Sequence, residues 1–154
     1  MTSSFTMRAE LGLLVARLAR HWRRKADLAL IAHGMSEAVA HPLLILSRRG
    51  KGIRQGVLAD EMGIEGPSLV RLIDLLEADG LVERQEDPTD RRAKLLHLTT
   101  LGEAKADDIN RVLDGVRADL LHGIPPDHIA ITFETLRTIE RHAVGSLDTL
   151  QLSS

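Results

Sequence analysis

Two short apolar helices joined at one glycine constrain the fold more than any other feature of this sequence. A helix is predicted over 55–62 and a second over 67–79, the second starting at Pro67 and ending at Gly80. Residues that shape a helix-turn-helix fill seven positions in one register, which are Leu58, Ala59, Met62, Gly63, Ile64, Leu69 and Leu72. The plainer alternative is a pair of core helices joined by a glycine turn.

A hairpin is predicted directly after these helices. Residues 81–85 and 93–98 have the length of strands, and they flank the segment EDPTDRR, whose Asp, Pro and Thr favour turns. The pattern predicts a β-hairpin with a long, charged tip. A helix-turn-helix followed by such a wing is a coherent DNA-binding unit.

Helices are also predicted on both sides of this unit. Apolar residues recur at helical spacing over 11–26, although a Ser-rich and then Arg-rich start also suits a transit peptide. Ser36 is a candidate N-cap for a helix over 36–47, in which Pro42 should cost a hydrogen bond. Thr100 and Glu103 form a capping box for a long helix, and Asp127 can cap the last one.

The predicted fold is therefore mainly α with a small β-hairpin wing. Its organisation is an N-terminal dimerisation helix over 1–35, a winged helix-turn-helix over 36–99 and C-terminal dimerisation helices over 100–154. Apolar stripes on the terminal helices exceed what a lone helix pair can cover, so we expect a two-fold symmetric dimer. The alternative is a monomer in which these helices fold back over the centre.

The second helix of the motif carries candidate DNA contacts on its outer side. Pro67, Ser68, Arg71 and Asp74 lie opposite the apolar face in the predicted register. Ser68 is suited to bond a phosphate or a base edge near the helix N-terminus, and Arg71 can fork onto guanine. An exposed arginine on a helix is usually only solvated, so its position in the motif carries this prediction.

The predicted wing adds a second set of basic side chains. Arg91 and Arg92 at its tip are long enough to enter a minor groove, with Asp90 expected to orient one of them. The alternative is a solvated hairpin with local ion pairs. Further contacts are expected from Lys94 on the wing, near Asp87, and from basic residues just before the motif, which are Arg48, Arg49, Lys51 and Arg54.

Composition excludes several other classes of protein. The 154 residues include no cysteine, which removes disulfides and thiolate chemistry and suits a cytoplasmic, reducing location. Two Phe, one Trp and no Tyr leave almost nothing for stacking bases of single strands. No GxSxG, P-loop or HExxH motif is present, and the seven His are scattered, so we expect no enzyme, cofactor or metal site.

The charge layout is uneven, and no membrane span is expected. The net charge is -2, yet residues 1–100 hold 15 Lys and Arg against 13 Asp and Glu, whereas 101–154 hold 5 against 9. A mildly basic front and an acidic rear suggest that one face can meet an anion. No apolar run approaches the ~20 residues of a membrane span.

The stretch LADEMGIEGPSLVRLIDLLEADGLVERQEDPTDRRAKLLHLT resembles the winged helix of the MarR family, and PSLVR and DRRAK resemble its SlyA-type branch. The resemblance implies a homodimeric bacterial transcription regulator of pseudo-palindromic duplex DNA, often a repressor released by small aromatic or phenolic acids. It implies that Ser68 and Arg71 lie in the recognition helix. Arg92, supported by Asp90 and Arg91, is implied to be the minor-groove arginine.

The same resemblance implies an effector pocket between the dimerisation helices and the winged unit. Pro42 departs from the large residue expected there, which puts transfer of a particular ligand in doubt. The candidate lining residues are Arg17, His21, Trp22, His41 and Ile45. A protein–protein adaptor that never meets DNA is the alternative function, and the basic side chains of the outer helix and the wing argue against it.

Overall fold

The computed structural model describes the backbone of residues 4–151 and the side chains of residues 6–145. The described part is mostly helical with a small three-stranded antiparallel sheet, which confirms the predicted fold class. Its elements in chain order are α1 (Ser4–Ala32), α2 (Glu37–Arg49), β1 (Ile53–Arg54), α3 (Gln55–Met62), α4 (Gly66–Ala78), β2 (Val82–Asp87), β3 (Asp90–Leu98), α5 (Thr100–Leu120) and α6 (Pro126–Gln151).

The chain forms two compact units, Met1–Val116 and Arg117–Ser154. The first unit contains a continuous hydrophobic core to which α2, α3, α4, β3 and α5 each contribute. Its fully buried side chains include Leu43, Leu58, Leu69, Ile73, Leu76, Leu96 and Ile109. This core lies beneath the helix-turn-helix, so α3 and α4 are held by packing on their inner faces.

The helix-turn-helix forms as predicted. Gly63 ends α3 with φ of +65°, the left-handed conformation that glycine adopts without steric cost. On α4, Leu69, Ile73 and Leu76 are fully buried. The two helices therefore pack through the predicted apolar register.

Helix α2 confirms the predicted N-cap, since the Ser36 side chain accepts a hydrogen bond of 3.4 Å from the backbone N–H of Val39. Pro42 lies inside the helix and is buried. The helix continues two residues beyond the predicted end and stops at Gly50, which has φ of +63°.

The prediction of a long, charged wing tip was wrong. β2 and β3 remain paired until Asp87 faces Asp90, with an irregularity between Glu86 and Asp87, so only Pro88 and Thr89 form the turn. Asp87 accepts hydrogen bonds from the backbone N–H and the hydroxyl of Thr89, at 2.8 and 2.6 Å. This local turn lets both strands extend into the segment that was predicted to be a loop. The wing is defined below as β2, β3 and this turn.

A third strand, β1, was not predicted. Ile53 and Arg54 pair with Leu96 and Leu95, which places β3 at the centre of the sheet. A strand of two residues in a Gly-rich basic segment is too short to show an alternating pattern, so the sequence did not reveal it.

The residues predicted to cap the last two helices both lie inside those helices. Thr99, not Thr100, caps α5, because its hydroxyl accepts from the Gly102 N–H at 3.0 Å and donates to the Gly80 carbonyl at 2.5 Å. A Cβ at Gly102 would lie 1.9 Å from the Leu81 carbonyl oxygen, so this corner requires glycine. Helix α6 begins at Pro126, and Asp127 lies in its first turn.

The terminal helices expose apolar side chains that belong to the apolar stripes predicted from the sequence. In α1, Leu11, Leu14 and Leu18 are 43–51% exposed. In α6, Phe133 is 58% exposed and the Arg137 guanidinium lies 5.8 Å from the centre of its ring. These faces find no cover within the described chain.

Among the described residues, no single helix is long and apolar enough to cross a membrane. Thr6–Ala32 and Glu37–Arg49 satisfy the length and composition criteria only as a pair, and they are bent by 103° at their junction.

Candidate nucleic-acid interface

The outer face of α4 presents the four residues predicted there. Pro67, Ser68, Arg71 and Asp74 are exposed, on the side opposite the buried Leu69. Ser68 lies in the first turn, where backbone N–H groups and the helix dipole favour an anion. This half of α4 has the chemistry to contact a nucleic acid.

Three exposed arginines of the outer helix and the wing lack an acidic partner. Among the described residues, no ion pair involves Arg71, Arg91 or Arg92. By contrast, Arg54 and Arg84 each bond a carboxylate within the first unit. The outer helix and the wing thus each carry exposed guanidinium groups without an ion pair in the described part of the chain, where the sequence predicted DNA contacts, as does Arg48 before the motif, whereas Arg49 pairs with Glu61.

Arg84 joins the wing to α4. From β2 its guanidinium donates to Asp74 at 2.6 Å and also to Glu77, both on α4. The hydrogen bond with Asp74 is the main cause of the raised pKa of Arg84, with further contributions from the charges of Glu77 and Asp74. This network ties the two candidate DNA-contacting elements together and compensates a carboxylate on the outer face of α4.

A second ion pair supports the wing tip. Arg54 on β1 donates to Asp87 Oδ2 through Nε at 2.8 Å and Nη2 at 2.5 Å. Asp87 is buried, and the hydrogen bonds from Thr89, followed by those from Arg54, lower its pKa to about 2. The guanidinium of Arg54, a predicted phosphate contact, is thus engaged in holding the wing, although its side chain remains 47% exposed.

Asp90 contacts Arg92 through the backbone. Its Oδ1 accepts a hydrogen bond of 3.1 Å from the Arg92 N–H and makes no ion pair among the described residues. Asp90 therefore fixes the backbone conformation at Arg92 but does not form an ion pair with its guanidinium group. Lys94 is another predicted contact, and its Nζ atom lies 3.4 Å from Glu86 Oε1 across the hairpin.

The role of Arg84 as a support for the interface was not predicted from the sequence. An arginine between acidic residues on a short strand is typical of a solvated surface. The available signal was the Asp74 and Glu77 pair, which is spaced by three residues and hence lies on one side of α4.

A cleft of about 330 Å³ lies in the first unit, where α1 and α2 meet, and is called the α1–α2 cleft below. Two of the five predicted effector residues, Trp22 and His41, line it. Arg17 and His21 lie exposed on α1 outside its lining, and Ile45 is buried in the core. The structure adds Asp27 to the lining, which sequence reasoning did not select.

The cleft has both apolar and charged walls. Arg23 and Glu37 form an ion pair of 3.5 Å between α1 and α2, and Leu44 and Leu113 supply apolar surface. In the part of the chain that the structure describes, no group of three or more His, Asp or Glu side chains could hold a metal ion. The arrangement thus suits a small organic ligand.

A helix-turn-helix followed by a hairpin of a small antiparallel sheet defines the winged-helix class of proteins. A family model described as MarR family matches residues 33–93. The transcriptional regulator PA3341 is similar over 88% of this chain and 98% of its own, with 37% identity and a TM-score of 0.79. The chain belongs to the MarR family of winged-helix transcriptional regulators.

Two further solved structures show relatives with bound partners. CouR from Rhodococcus jostii RHA1, bound to p-coumaroyl-CoA, is 27% identical, covering 84% of this chain and 90% of its own, with a TM-score of 0.70. A mutant of MarR from E. coli complexed with operator DNA is 23% identical, covering 90% and 99%, with a TM-score of 0.69. The second likeness concerns the fold alone.

Proposed function

We propose that this regulator is a homodimeric repressor that binds pseudo-palindromic operator DNA and releases it when a small aromatic effector binds. The observation that carries the proposal is the unpaired, exposed state of Arg71, Arg91 and Arg92, beside arginines whose charges are compensated. Pairing those three groups with carboxylates would remove the arginines that this proposal places in the two grooves and near the phosphates.

In this proposal α4 enters the major groove. Arg71 donates two hydrogen bonds to guanine O6 and N7, and Ser68 bonds a phosphate or a base edge near the helix N-terminus. Pro67 packs against the groove wall. The Arg84 network holds α4 so that these side chains keep a fixed orientation relative to the wing.

The wing enters the adjacent minor groove. A narrow, A·T-rich minor groove concentrates negative potential, which favours a guanidinium. Arg92 is the proposed inserted residue, with Arg91 and Lys94 near the phosphates. Asp90 fixes the local backbone, and Arg54 contacts DNA only through the exposed part of its side chain.

Dimerisation through the terminal helices completes the proposed DNA-binding unit. Leu14 in α1 and Ile131 and Phe133 in α6 are at least half exposed, and burial of such side chains stabilises association. A symmetric dimer would place two copies of α4 about 34 Å apart, one helical turn of DNA. The proposed domain bounds, 1–35, 36–99 and 100–154, follow this division of roles.

Ligand control is assigned to the α1–α2 cleft. Trp22 and His41 offer aromatic surface there, and CouR shows that a MarR-fold relative binds a phenolic ligand. A ligand that prefers one spacing of the two α4 helices shifts the population toward it. The resemblance favours an aromatic or phenolic acid as the effector, repression as the outcome, the SlyA-like branch and a cytoplasmic location.

Salt-titrated binding tests the DNA-binding core of this proposal. The full chain is mixed with a fluorescent random duplex, and anisotropy is measured as salt increases. We expect the logarithm of affinity to fall linearly with the logarithm of salt, with a slope of about −0.9 per neutralised phosphate. A flat response would contradict the proposal and favour the adaptor.

A further inference from the structure

Asp27 has an unusual position in the wall of the α1–α2 cleft. Its Oδ1 atom is buried and has no hydrogen-bond partner among the described residues. A buried carboxylate oxygen without a donor is unfavourable, since it has lost water without gaining a replacement. The Asp27 side chain also lines the cleft, so a ligand bound there lies next to this side chain.

The basic groups around Asp27 leave its carboxylate uncompensated. Arg23 is engaged with Glu37, at 3.5 Å. Arg20 and Arg24 border a neighbouring surface pocket that Arg23 and Asp27 also line, and neither makes an ion pair with Asp27 among the described residues. Within the cleft lining, the charges are therefore one paired Arg23–Glu37 couple and the extra negative charge of Asp27.

The remaining lining is suited to an aromatic body. Trp22 offers a ring face, while Leu30, Leu44 and Leu113 supply apolar walls. The volume of about 330 Å³ falls at the small end of the roughly 300–1,000 Å³ range of ligand sites. A tryptophan face also attracts a cation, which adds to the attraction of the carboxylate.

We propose that the α1–α2 cleft binds an aromatic cation whose amidinium or ammonium group donates hydrogen bonds to Asp27 while its ring packs near Trp22. This inference rests on the proposed ligand-binding role of the cleft and changes the expected polar group. An aromatic acid would bring its carboxylate toward that of Asp27, and like charges at such a site oppose binding. The ligand class is thus basic, not acidic.

Trp22 gives a direct readout, because the chain contains one Trp and no Tyr. The full chain is titrated with benzamidine, benzoate and benzyl alcohol, which share a phenyl ring and differ in charge. We expect a saturable change in Trp22 emission with benzamidine, at an affinity roughly tenfold or more above that of benzoate. Equal or tighter binding of benzoate would overturn the proposal, as would the absence of benzamidine binding.

Substitution of Asp27 assigns the effect to one side chain. Asp27→Asn keeps the shape and removes the charge, so benzamidine affinity should fall roughly tenfold while benzyl alcohol is little affected. Asp127→Asn, an exposed aspartate of α6, should leave both unchanged. If benzamidine binds wild type and Asp27→Asn equally, an arginine already compensates Asp27 and the proposal fails. If Asp27→Asn does not fold, the benzamidine-to-benzoate ratio in the wild type still decides.

DNA binding is measured separately, so the two proposals fail independently. Benzamidine that binds through Asp27 but leaves duplex affinity unchanged would contradict ligand control and support the cation site. Loss of duplex affinity on benzamidine binding would support both. A chain that shows no affinity for duplex DNA would remove the proposed repressor function without altering the fluorescence result.

Discussion

The winged region, residues 36–99, and helix α6 use apolar residues in opposite ways. In the winged region Leu43, Leu58 and Leu96 are fully buried, and the core continues into α5. In α6, Ile131, Phe133 and Val144 are each more than half exposed. One region is closed within a single chain, whereas the other presents a face that only another surface can bury.

The same contrast holds for charge within the winged region itself. Arg54 and Arg84 compensate buried or neighbouring carboxylates, so they support structure. Arg71 and Arg92 have no acidic partner among the described residues. Position in the fold, and not residue type, therefore separates supporting arginines from those proposed to contact DNA.

The largest effect is expected from truncating a buried side chain in the core of the winged region. Ile73→Ala on α4 removes a fully buried side chain and should lower the free energy of unfolding by roughly 2–5 kcal/mol. Leu75→Ala, on the same helix but 64% exposed, should change it by less than about 0.5 kcal/mol. Urea unfolding followed by circular dichroism measures both. Equal losses would show that α4 does not pack as described.

A smaller effect is expected from removing the guanidinium of the outer helix. Arg71→Ala should cost roughly 1–3 kcal/mol at a specific site and should relax base preference at one position, because its bidentate contact is lost. Fluorescence anisotropy on specific and random duplexes measures this, with Arg24→Ala on α1 as the control. The same loss on both duplexes would make Arg71 a phosphate contact only.

Arg92→Ala tests the wing in a different way. Its loss should weaken binding most on duplexes with A·T-rich flanks, whose narrow minor groove favours an inserted arginine. Paired duplexes that differ only in the flanks provide the comparison in the same assay. A similar change on A·T-rich and G·C-rich flanks would contradict insertion of Arg92 into the groove.

The smallest expected effect concerns the support at the wing tip. Hydrogen bonds from Thr89 and Arg54 lower the pKa of Asp87 from 3.8 to about 2, so the unfolded chain takes up this proton more readily. Asp87 therefore stabilises the fold above about pH 4, and that contribution is lost as the pH falls toward 2. Urea unfolding between these pH values should show a shallower decline for Asp87→Asn. An unchanged decline would mean that Asp87 does not govern acid stability.

Sequence alone predicted the elements with a clear period and the helix-turn-helix register. It missed β1 because Ile53 and Arg54 become a strand only through their pairing with Leu96 and Leu95. It placed the α5 cap at Thr100 because the motif Thr100 to Glu103 matches locally, whereas the contact of Thr99 with Gly80 is distant in sequence.

The candidate site was predictable to the extent that it follows helical geometry. The exposed positions of Ser68 and Arg71 follow from the spacing of the apolar residues on α4. The bridge from Arg84 to α4 and the buried oxygen of Asp27 depend on how elements pack, which no local pattern encodes. For the same reason Trp22 and His41 meet in the cleft, while Arg17 and Ile45 do not line it.

Sedimentation equilibrium of the protein on a short duplex tests whether a dimer of this chain binds one DNA site. The duplex, selected by the protein from a random pool, is kept short enough for a single site. We expect a complex that contains two chains of 16.9 kDa on one duplex. A complex with one chain at saturation would contradict this expectation, because the exposed faces of the terminal helices would then have another purpose.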